Sequence, residues 1–416
     1  MAPAVLGLSL CLPSEAVAQV VPTTPASPDA TSPPAMPLPL DEALQLARRH
    51  APAIRAATTR SAAEAEVADA SRAWRHPTVD LSVENLGPQG LDHDGFVWFT
   101  QPLDIGARRS TRIAAAQASR DFLARQVDGE RRTLDLALVD TYIAVVRTRH
   151  VSDLLTAHER ALDDVVSLVE RRLREGVAAE GDLRKLEAER GRTRIARMRL
   201  ELERRQHVLT LGFLTGLQDE ALAERVRMPA ASSIGAADIE AALERRADVR
   251  AAEARVEERR TAAAAERALG STAIAAMGGY KRTGGFNTGT AGVSIDLPIG
   301  LRNTPSRLRA EAEAAAAVLE LEQARAIARL DIEQALLAAR VLTSQAARAG
   351  DDLVTPAEIA RQAARAAFRE GTGDALALVD ADRVHLESQR EALALQVDAV
   401  AARIRARLAL GEEPVP

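Results

Sequence analysis

The longest uninterrupted helical stretch limits the fold more than any other feature of this sequence. From Ala107 to Arg174 there is no proline and one glycine, Gly129. At about 1.5 Å per residue, such a helix extends on the order of 100 Å. The pattern breaks at 174–177 and resumes as a helix from about Asp182 to Leu214. A compact core does not need a rod of this length, so the sequence predicts a helical hairpin that spans a distance.

The same arrangement occurs twice, because the sequence matches itself after a shift of about 195 positions. Matching pairs include Pro102 with Pro298, Gly106 with Gly300, Leu183 with Leu378, and Gly216 with Gly411. The segment 174–176, Arg-Glu-Gly, recurs at 369–371. We interpret this as a tandem duplication of one unit that contains a helix, two strands, a long helix, a tip and a return helix.

The duplication divides the chain into a first repeat at 40–218, a connecting segment at 219–237, a second repeat at 238–411 and a tail at 412–416. Helical hairpins are predicted at 107–214 and 302–410. Strands are predicted near 78–85 and 95–103, and again near 271–281 and 290–297, with Gly278-Gly279 interrupting the third. Asp41 is expected to cap a first helix that runs to about Arg75, and Pro52 is expected to break it.

The predicted strands alternate between apolar and polar residues, so each has one apolar face and one wet face. Lipid outside and water inside a closed sheet would satisfy both faces. The residues expected to face lipid are Val79, Leu81, Val83, Val293 and Ile295. Four strands cannot close a membrane barrel, since the smallest have about eight. Two chains would supply eight strands and three would supply twelve.

Heptad-like spacing along the first hairpin predicts packing between its two helices. The outward helix carries Val151, Leu155, His158, Leu162, Val165, Val169 and Leu173, and His158 is interpreted as a packed residue. The return helix offers Leu183, Leu186, Ile195, Met198 and Leu202. In the second hairpin, Pro356 is expected to bend the outward helix.

The N-terminal segment has the composition of an export signal. Residues 1–18 contain an apolar run and the cleavage-like sequence Ala16-Val17-Ala18, so they are predicted to be a signal peptide. The usual basic start is missing, which is the pattern of a truncated signal. Cys11, the one cysteine, lies inside this run. Residues 19–39 form a proline-rich linker.

No catalytic, cofactor-binding or metal-binding motif is visible in the sequence, so an enzyme is the least favoured class. The net charge of −5 and the lack of a basic stripe argue against nucleic acid. Asp92-His93-Asp94 is interpreted as a solvated loop. The hairpin tips are more informative, because Asp182 and Asp374 are placed to cap the return helices. If several chains form a tube, Asp374 and Asp380 would lie near its narrow end and favour cations.

The order of these features resembles outer-membrane efflux channels of the TolC type, with the CzcC-like heavy-metal branch as the nearest. The resemblance covers nearly the whole mature chain. It depends on Leu-Asp-Glu-Ala-Leu at 40–44, Val-Glu-Asn-Leu-Gly at 83–87, Gln-Pro-Leu-Asp-Ile-Gly at 101–106, and the two tips at 174–176 and 369–371.

The resemblance implies a mainly α fold with a small membrane β-barrel portion. Three chains would form an α-helical tunnel and a 12-stranded β-barrel that reaches from the outer membrane of a Gram-negative cell into the periplasm. The tips would dock a periplasmic adaptor, which links to an inner-membrane pump of the RND type. The docking residues would be Arg174, Glu175, Gly176, Arg369, Glu370 and Gly371.

The resemblance also implies a constriction with two acidic positions at the second tip. Asp380 matches one of them. Ala377 occupies the place of the other, so the second acidic group is missing unless Asp374 or Asp382 supplies it. The implied cargo is a divalent heavy-metal cation. Three other functions remain open: a channel for drug efflux or type I secretion, a periplasmic adaptor, and a soluble coiled-coil scaffold.

Overall fold

The computed structural model describes residues 36–84, 93–218, 221–230, 234–235, 238–297 and 303–414. The chain divides into the units Met1–Met36 and Pro37–Pro416, and the second contains every element described below. The predicted signal segment, with Cys11, and nearly all of the proline-rich linker lie outside the described residues.

The first repeat contains two short helices, two strands and a long helical hairpin. In chain order these are α1 (Leu40–His50), α2 (Pro52–Ala70), β1 (Thr78–Glu84), β2 (Asp94–Leu103), α3 (Ala107–Arg174) and α4 (Glu180–Thr215). The 68 residues of α3 form one continuous helix, as predicted. Pro52 is the first residue of α2, and the helical conformation is interrupted at Ala51, just before it.

A short connecting helix, α5 (Leu222–Arg225), leads to the second repeat, which follows the same order as the first. Its elements are α6 (Ile239–Arg245), α7 (Ala247–Leu269), β3 (Ala273–Thr283), β4 (Phe286–Asp296), α8 (Thr304–Ala349), a π-helical turn (Gly350–Val354), α9 (Thr355–Glu370) and α10 (Ala375–Ala409). Near Pro356, where the sequence predicts a bend, the outward helix is divided by the π-helical turn at Gly350–Val354. Proline lacks the N–H that an α-helical bond needs and clashes with the preceding turn, which accounts for the wider turn.

Several predicted details are wrong. Pro39, not Asp41, occupies the N-cap of α1, and α2 ends at Ala70 rather than near Arg75. β3 runs through Gly278-Gly279 without interruption. Glycine is needed at 279 because a Cβ there would come within 2.9 Å of the Trp98 ring. β4 begins at Phe286, earlier than the predicted 290, and the β3–β4 hairpin turns tightly at 284–285.

The four strands form one antiparallel sheet in the order β1-β2-β3-β4. The register places Val79 opposite Phe99, Leu81 opposite Val97, and Val97 opposite Tyr280. Directly opposed residues share a face, so apolar side chains from all four strands lie together. Ala276 opposite Val293 and Ile274 opposite Ile295 extend this face.

The hydrophobic core lies where the helices of both repeats meet. Here α3 packs against α2, α4, α7 and α10, and α8 packs against α7 and α10. Tyr142 is fully buried, and its hydroxyl donates to the carbonyl of Leu38 at 2.7 Å and accepts from the N–H of Arg227 at 3.1 Å. Tyr142 thereby attaches the start of the first repeat and the connecting segment to α3. Among the described residues, no helix combines the length and apolar content needed to cross a bilayer.

Candidate functional site: hairpin tips and the exposed face of the sheet

The two hairpin tips lie against each other. Gly176 and Gly371 end the outward helices with φ angles of 75° and 78°, a left-handed conformation that glycine adopts without strain. The guanidinium of Arg172 donates to the carbonyl of Phe368 at 3.0 Å and stacks over the Phe368 ring at 4.5 Å. The tips enclose a cleft of ≈ 700 Å³ with walls from both hairpins.

The six tip residues named from the sequence are all exposed: Arg174, Glu175, Gly176, Arg369, Glu370 and Gly371. A small apolar cluster lies directly behind them. Its buried members are Val166, Val169, Leu183, Leu186, Phe368, Ala375 and Leu378. The cluster joins both hairpins, so the exposed tips share one supporting core.

The acidic residues near the second tip have different environments. Asp374 caps α10, because its Oδ1 accepts from the N–H of Ala377 at 2.6 Å. Asp380 is exposed, and it pairs with Arg383 one turn further along at 2.6 Å. Asp382 is 3% exposed and accepts from Arg365 at 3.0 Å, so it lies inside the hairpin and is not placed to substitute at a constriction.

At the first tip the predicted cap is wrong. Helix α4 begins at Glu180 after Ala179, and no side chain caps it. Asp182 therefore lies in the first turn, where its carboxylate favours the helix dipole and approaches Lys185 at 3.7 Å. The two tips thus begin their return helices differently.

A polar cluster lies between α9 and α10 behind the second tip. Glu358 accepts two bonds from Arg361, at 2.6 and 2.7 Å, and lies 3.3 Å from Nε2 of His385. The bonds from Arg361 lower the pKa of the Glu358 carboxyl to about 2. Burial lowers the pKa of His385 and of the half-buried His158, which favours their neutral forms.

The sequence did not reveal that part of the apolar surface of α4 is exposed and not packed within its own hairpin. Leu183 and Leu186 are buried as predicted, but Ile195, Met198 and Leu202 are 53%, 64% and 60% exposed. With Leu209 and Phe213 they recur at intervals of three, four and seven residues, so they form one apolar stripe. A similar exposed stripe on α8 contains Leu319, Ile327, Leu330 and Leu337.

The sheet is also uncovered on its apolar face. Val79, Leu81 and Val83 are 60%, 74% and 54% exposed, and Val293 and Ile295 are 64% and 55% exposed. These five residues were the ones expected to face lipid. Contiguous apolar surface of this kind marks a contact with a membrane or another protein.

The described residues contain no group of three or more His, Cys, Asp or Glu side chains placed to hold a metal ion. Of the Asp92-His93-Asp94 segment, Asp92 lies outside the described residues. Asp94 belongs to β2, and its Oδ1 accepts from the N–H of Gly284 at 2.9 Å. Asp94 therefore helps to join β2 to the β3–β4 turn.

A duplicated unit of two strands and a long helical hairpin, with an uncovered apolar sheet, defines a subunit of a membrane channel. The solved structure of the outer-membrane channel OprN superimposes with a TM-score of 0.79 at 19% identity over 91% of each chain. VceC from Vibrio cholerae matches with a TM-score of 0.77 at 20% identity, over 90% of this chain and 96% of that one. MtrE from Neisseria gonorrhoeae, solved in an open state, has a TM-score of 0.77 at 17% identity, over 92% and 94%.

Residues 43–217 and 239–412 match the family described as Outer membrane efflux protein. The chain therefore belongs to that family, whose members are channels of the outer membrane and not enzymes. The two matched segments correspond closely to the two repeats. A search of curated proteins gave no match. The sheet is accordingly this chain's part of a barrel, and the hairpins are its part of a helical tunnel.

Proposed function

We propose that the chain works as a homotrimer, with a 12-stranded barrel, and forms the outer-membrane conduit of a tripartite efflux system. The observation that carries the proposal is the combination of exposed apolar stripes on α4 and α8 with an unclosed four-stranded sheet. Each feature needs a neighbour, and a ring of identical chains supplies one to both stripes and both sheet edges. The lipid-facing residues remain Val79, Leu81, Val83, Val293 and Ile295.

The trimer is tested by cross-linking and by the mass of the detergent-solubilised protein. We expect Met198→Glu combined with Leu202→Glu to reduce the trimer, because two charges would be buried in the subunit contact. Thr210→Glu, an exposed position outside the stripe, is the matched control and should leave the trimer intact. A monomer or dimer for the unmodified protein would refute the proposal.

We propose that the adaptor docks at the exposed tip residues, namely Arg174, Glu175, Gly176, Arg369, Glu370 and Gly371, and that an inner-membrane RND-type pump supplies the cargo. Support comes from the exposure of these residues above a shared core. Both acidic positions proposed for the constriction have a partner within the chain, since Asp374 caps α10 and Asp380 pairs with Arg383.

For the cargo we propose divalent heavy-metal cations, on the basis of the resemblance to the CzcC-like branch. Profiling a deletion strain against zinc, cobalt, cadmium and copper, and against drugs, tests this assignment. Selective metal sensitivity is the expected result. Sensitivity to drugs alone, or loss of a secreted protein, would assign the channel to drug efflux or type I secretion.

A further inference from the structure

A cleft lined by arginine lies far from the tips and the sheet, where α1 ends beside the middle of α3. We call it the arginine cleft; its volume is ≈ 640 Å³, within the usual range for small-ligand sites. The joint between α6 and α7 and the C-terminal tail complete its walls. Six arginines line it: Arg48, Arg49, Arg131, Arg132, Arg245 and Arg250.

The carboxylates that line the same cleft are already occupied. Asp135 accepts two bonds from Arg48, at 2.9 and 2.7 Å, and Glu413 accepts from the same guanidinium at 2.9 Å. Asp128 pairs with Arg131 at 3.2 Å. The fourth, Glu412, pairs at 3.6 Å with Arg407, which lies outside the lining.

Three of the lining arginines have no carboxylate within ion-pair distance among the residues that the structure describes. They are Arg49, Arg245 and Arg250, and Arg245 makes one bond of 3.4 Å to the carbonyl of Leu410. Guanidinium groups bind carboxylates through paired N–H donors. Within the part of the chain that the structure describes, the cleft therefore presents positive charge without a paired carboxylate inside a concave surface.

The C-terminal tail indicates which anion suits this site. Gly411, with φ of 73°, turns the chain out of α10, and a Cβ there would come within 3.1 Å of the Arg245 side chain. This turn lays Glu412 and Glu413 along the cleft wall, where Glu413 reaches Arg48. A short acidic peptide segment of the protein itself thus already occupies one side.

We propose that the arginine cleft binds a short peptide with two or more carboxylates, and that its source is the stem peptide of the cell wall. Efflux channels of this family extend through the periplasm, the compartment that contains the wall, and wall peptides have free carboxylates. The site would attach the channel to the wall and does not take part in moving cargo.

The test is calorimetric titration of the full-length protein in detergent with a soluble disaccharide-tetrapeptide from the wall. Arg49→Gln with Arg250→Gln should weaken binding at least about tenfold, because two guanidinium groups that have no carboxylate partner among the described residues are lost. Arg260→Gln with Arg309→Gln removes two exposed arginines elsewhere and should leave the affinity unchanged. Glu413→Gln should strengthen binding severalfold, because it releases Arg48 from the tail.

The comparison ligands show whether the arginine cleft selects an acidic peptide over other anions. The same disaccharide-tetrapeptide with its carboxylates amidated should not bind, and inorganic phosphate and citrate should bind more weakly than the acidic peptide. No binding by the unmodified protein, or equal binding by the arginine-cleft and control variants, would overturn the proposal. Affinity for citrate equal to that for the acidic peptide would also contradict the proposal, because the cleft would then be a general anion site. The measurement does not depend on export, so it stands apart from the proposed transport function.

Discussion

The two repeats use the same backbone at the joint between their short helices, but they hold it by different means. In the first repeat, Ala51 separates α1 from α2 with φ −59° and ψ 118°. In the second, Arg246 separates α6 from α7 with φ −65° and ψ 130°. Pro52 follows the first joint, whereas Ala247 follows the second.

The first joint is specified by a neighbour in sequence, and the second by contacts with residues that are distant in sequence. A proline disfavours the helical conformation in the residue before it, so Pro52 breaks the helix by itself. Arg246 is 2% exposed and donates to Asp248 at 2.6 Å and to Asp331 on α8 at 2.7 Å. The first joint is therefore specified within two residues, whereas the second depends on the packed structure.

The outward helices show the opposite arrangement. Helix α3 is continuous, but its counterpart is divided by the π-helical turn before Pro356. In the first hairpin the residue equivalent to Pro356 is Ala161, which leaves every backbone bond available. Each repeat thus contains one proline break that the other lacks, and the duplicated units have diverged at separate points.

The largest expected effect is on the free energy of unfolding, when the ion pairs of Arg246 are removed. Arg246→Leu removes the buried guanidinium that bonds to Asp248 and Asp331. Both carboxylates are partly exposed and Asp331 keeps its pair with Arg132 at 3.0 Å, so the loss should be about 1.5–3 kcal/mol. Chemical denaturation of the detergent-solubilised protein measures the loss. Arg246→Lys keeps the charge but not the paired donors, so its loss should be intermediate. A loss below about 1 kcal/mol for the leucine variant would show that the ion pairs are not what holds the joint.

The sequence was sufficient for features that repeat or that depend on near neighbours. The duplication, the bounds of α3, the break at Pro52 and the tip glycines follow from spacing and backbone preference. It was insufficient where the partner is distant in sequence, since nothing in the spacing shows that Arg246 and Arg132 both meet Asp331. It also misplaced Ile195, Met198 and Leu202, because a heptad pattern indicates an apolar contact without indicating which helix provides it.

The tips provide the next comparison. Gly371→Asp should weaken adaptor docking about tenfold, because docking is expected to need the left-handed turn at this tip and that turn costs a residue with a side chain roughly 1–2 kcal/mol. Export should fall while the amount of protein in the outer membrane stays normal. Gly176→Asp tests the first tip in the same assay. Unchanged export in both variants would argue against docking at the tips.

A smaller effect is expected at acidic pH. Glu358 has a lowered pKa in the folded protein, so its contribution to stability is complete above its ordinary value of 4.5 and is lost as the pH falls toward about 2. Glu358→Gln should therefore flatten the fall in melting temperature over this range. Asp163, the equivalent residue of the first repeat, has one ion pair of 3.2 Å with Arg190, so Asp163→Asn serves as the matched control. An identical acid profile for the glutamine variant would contradict the role given to Glu358.

The smallest effect is expected when the proline that follows the first joint is introduced at the second joint. Ala247→Pro places a proline at the first position of α7, where an N–H has no helical partner and the preceding residue is already extended. It should raise the free energy of unfolding by about 0.4–1 kcal/mol, and Pro52→Ala should lower it by a similar amount. In combination with Arg246→Leu, the new proline should recover only this small increment, because it restores the backbone preference and not the ion pairs that Arg246 makes. Full recovery would mean that the buried ion pairs act only by fixing the backbone, and the two joints would then be equivalent after all.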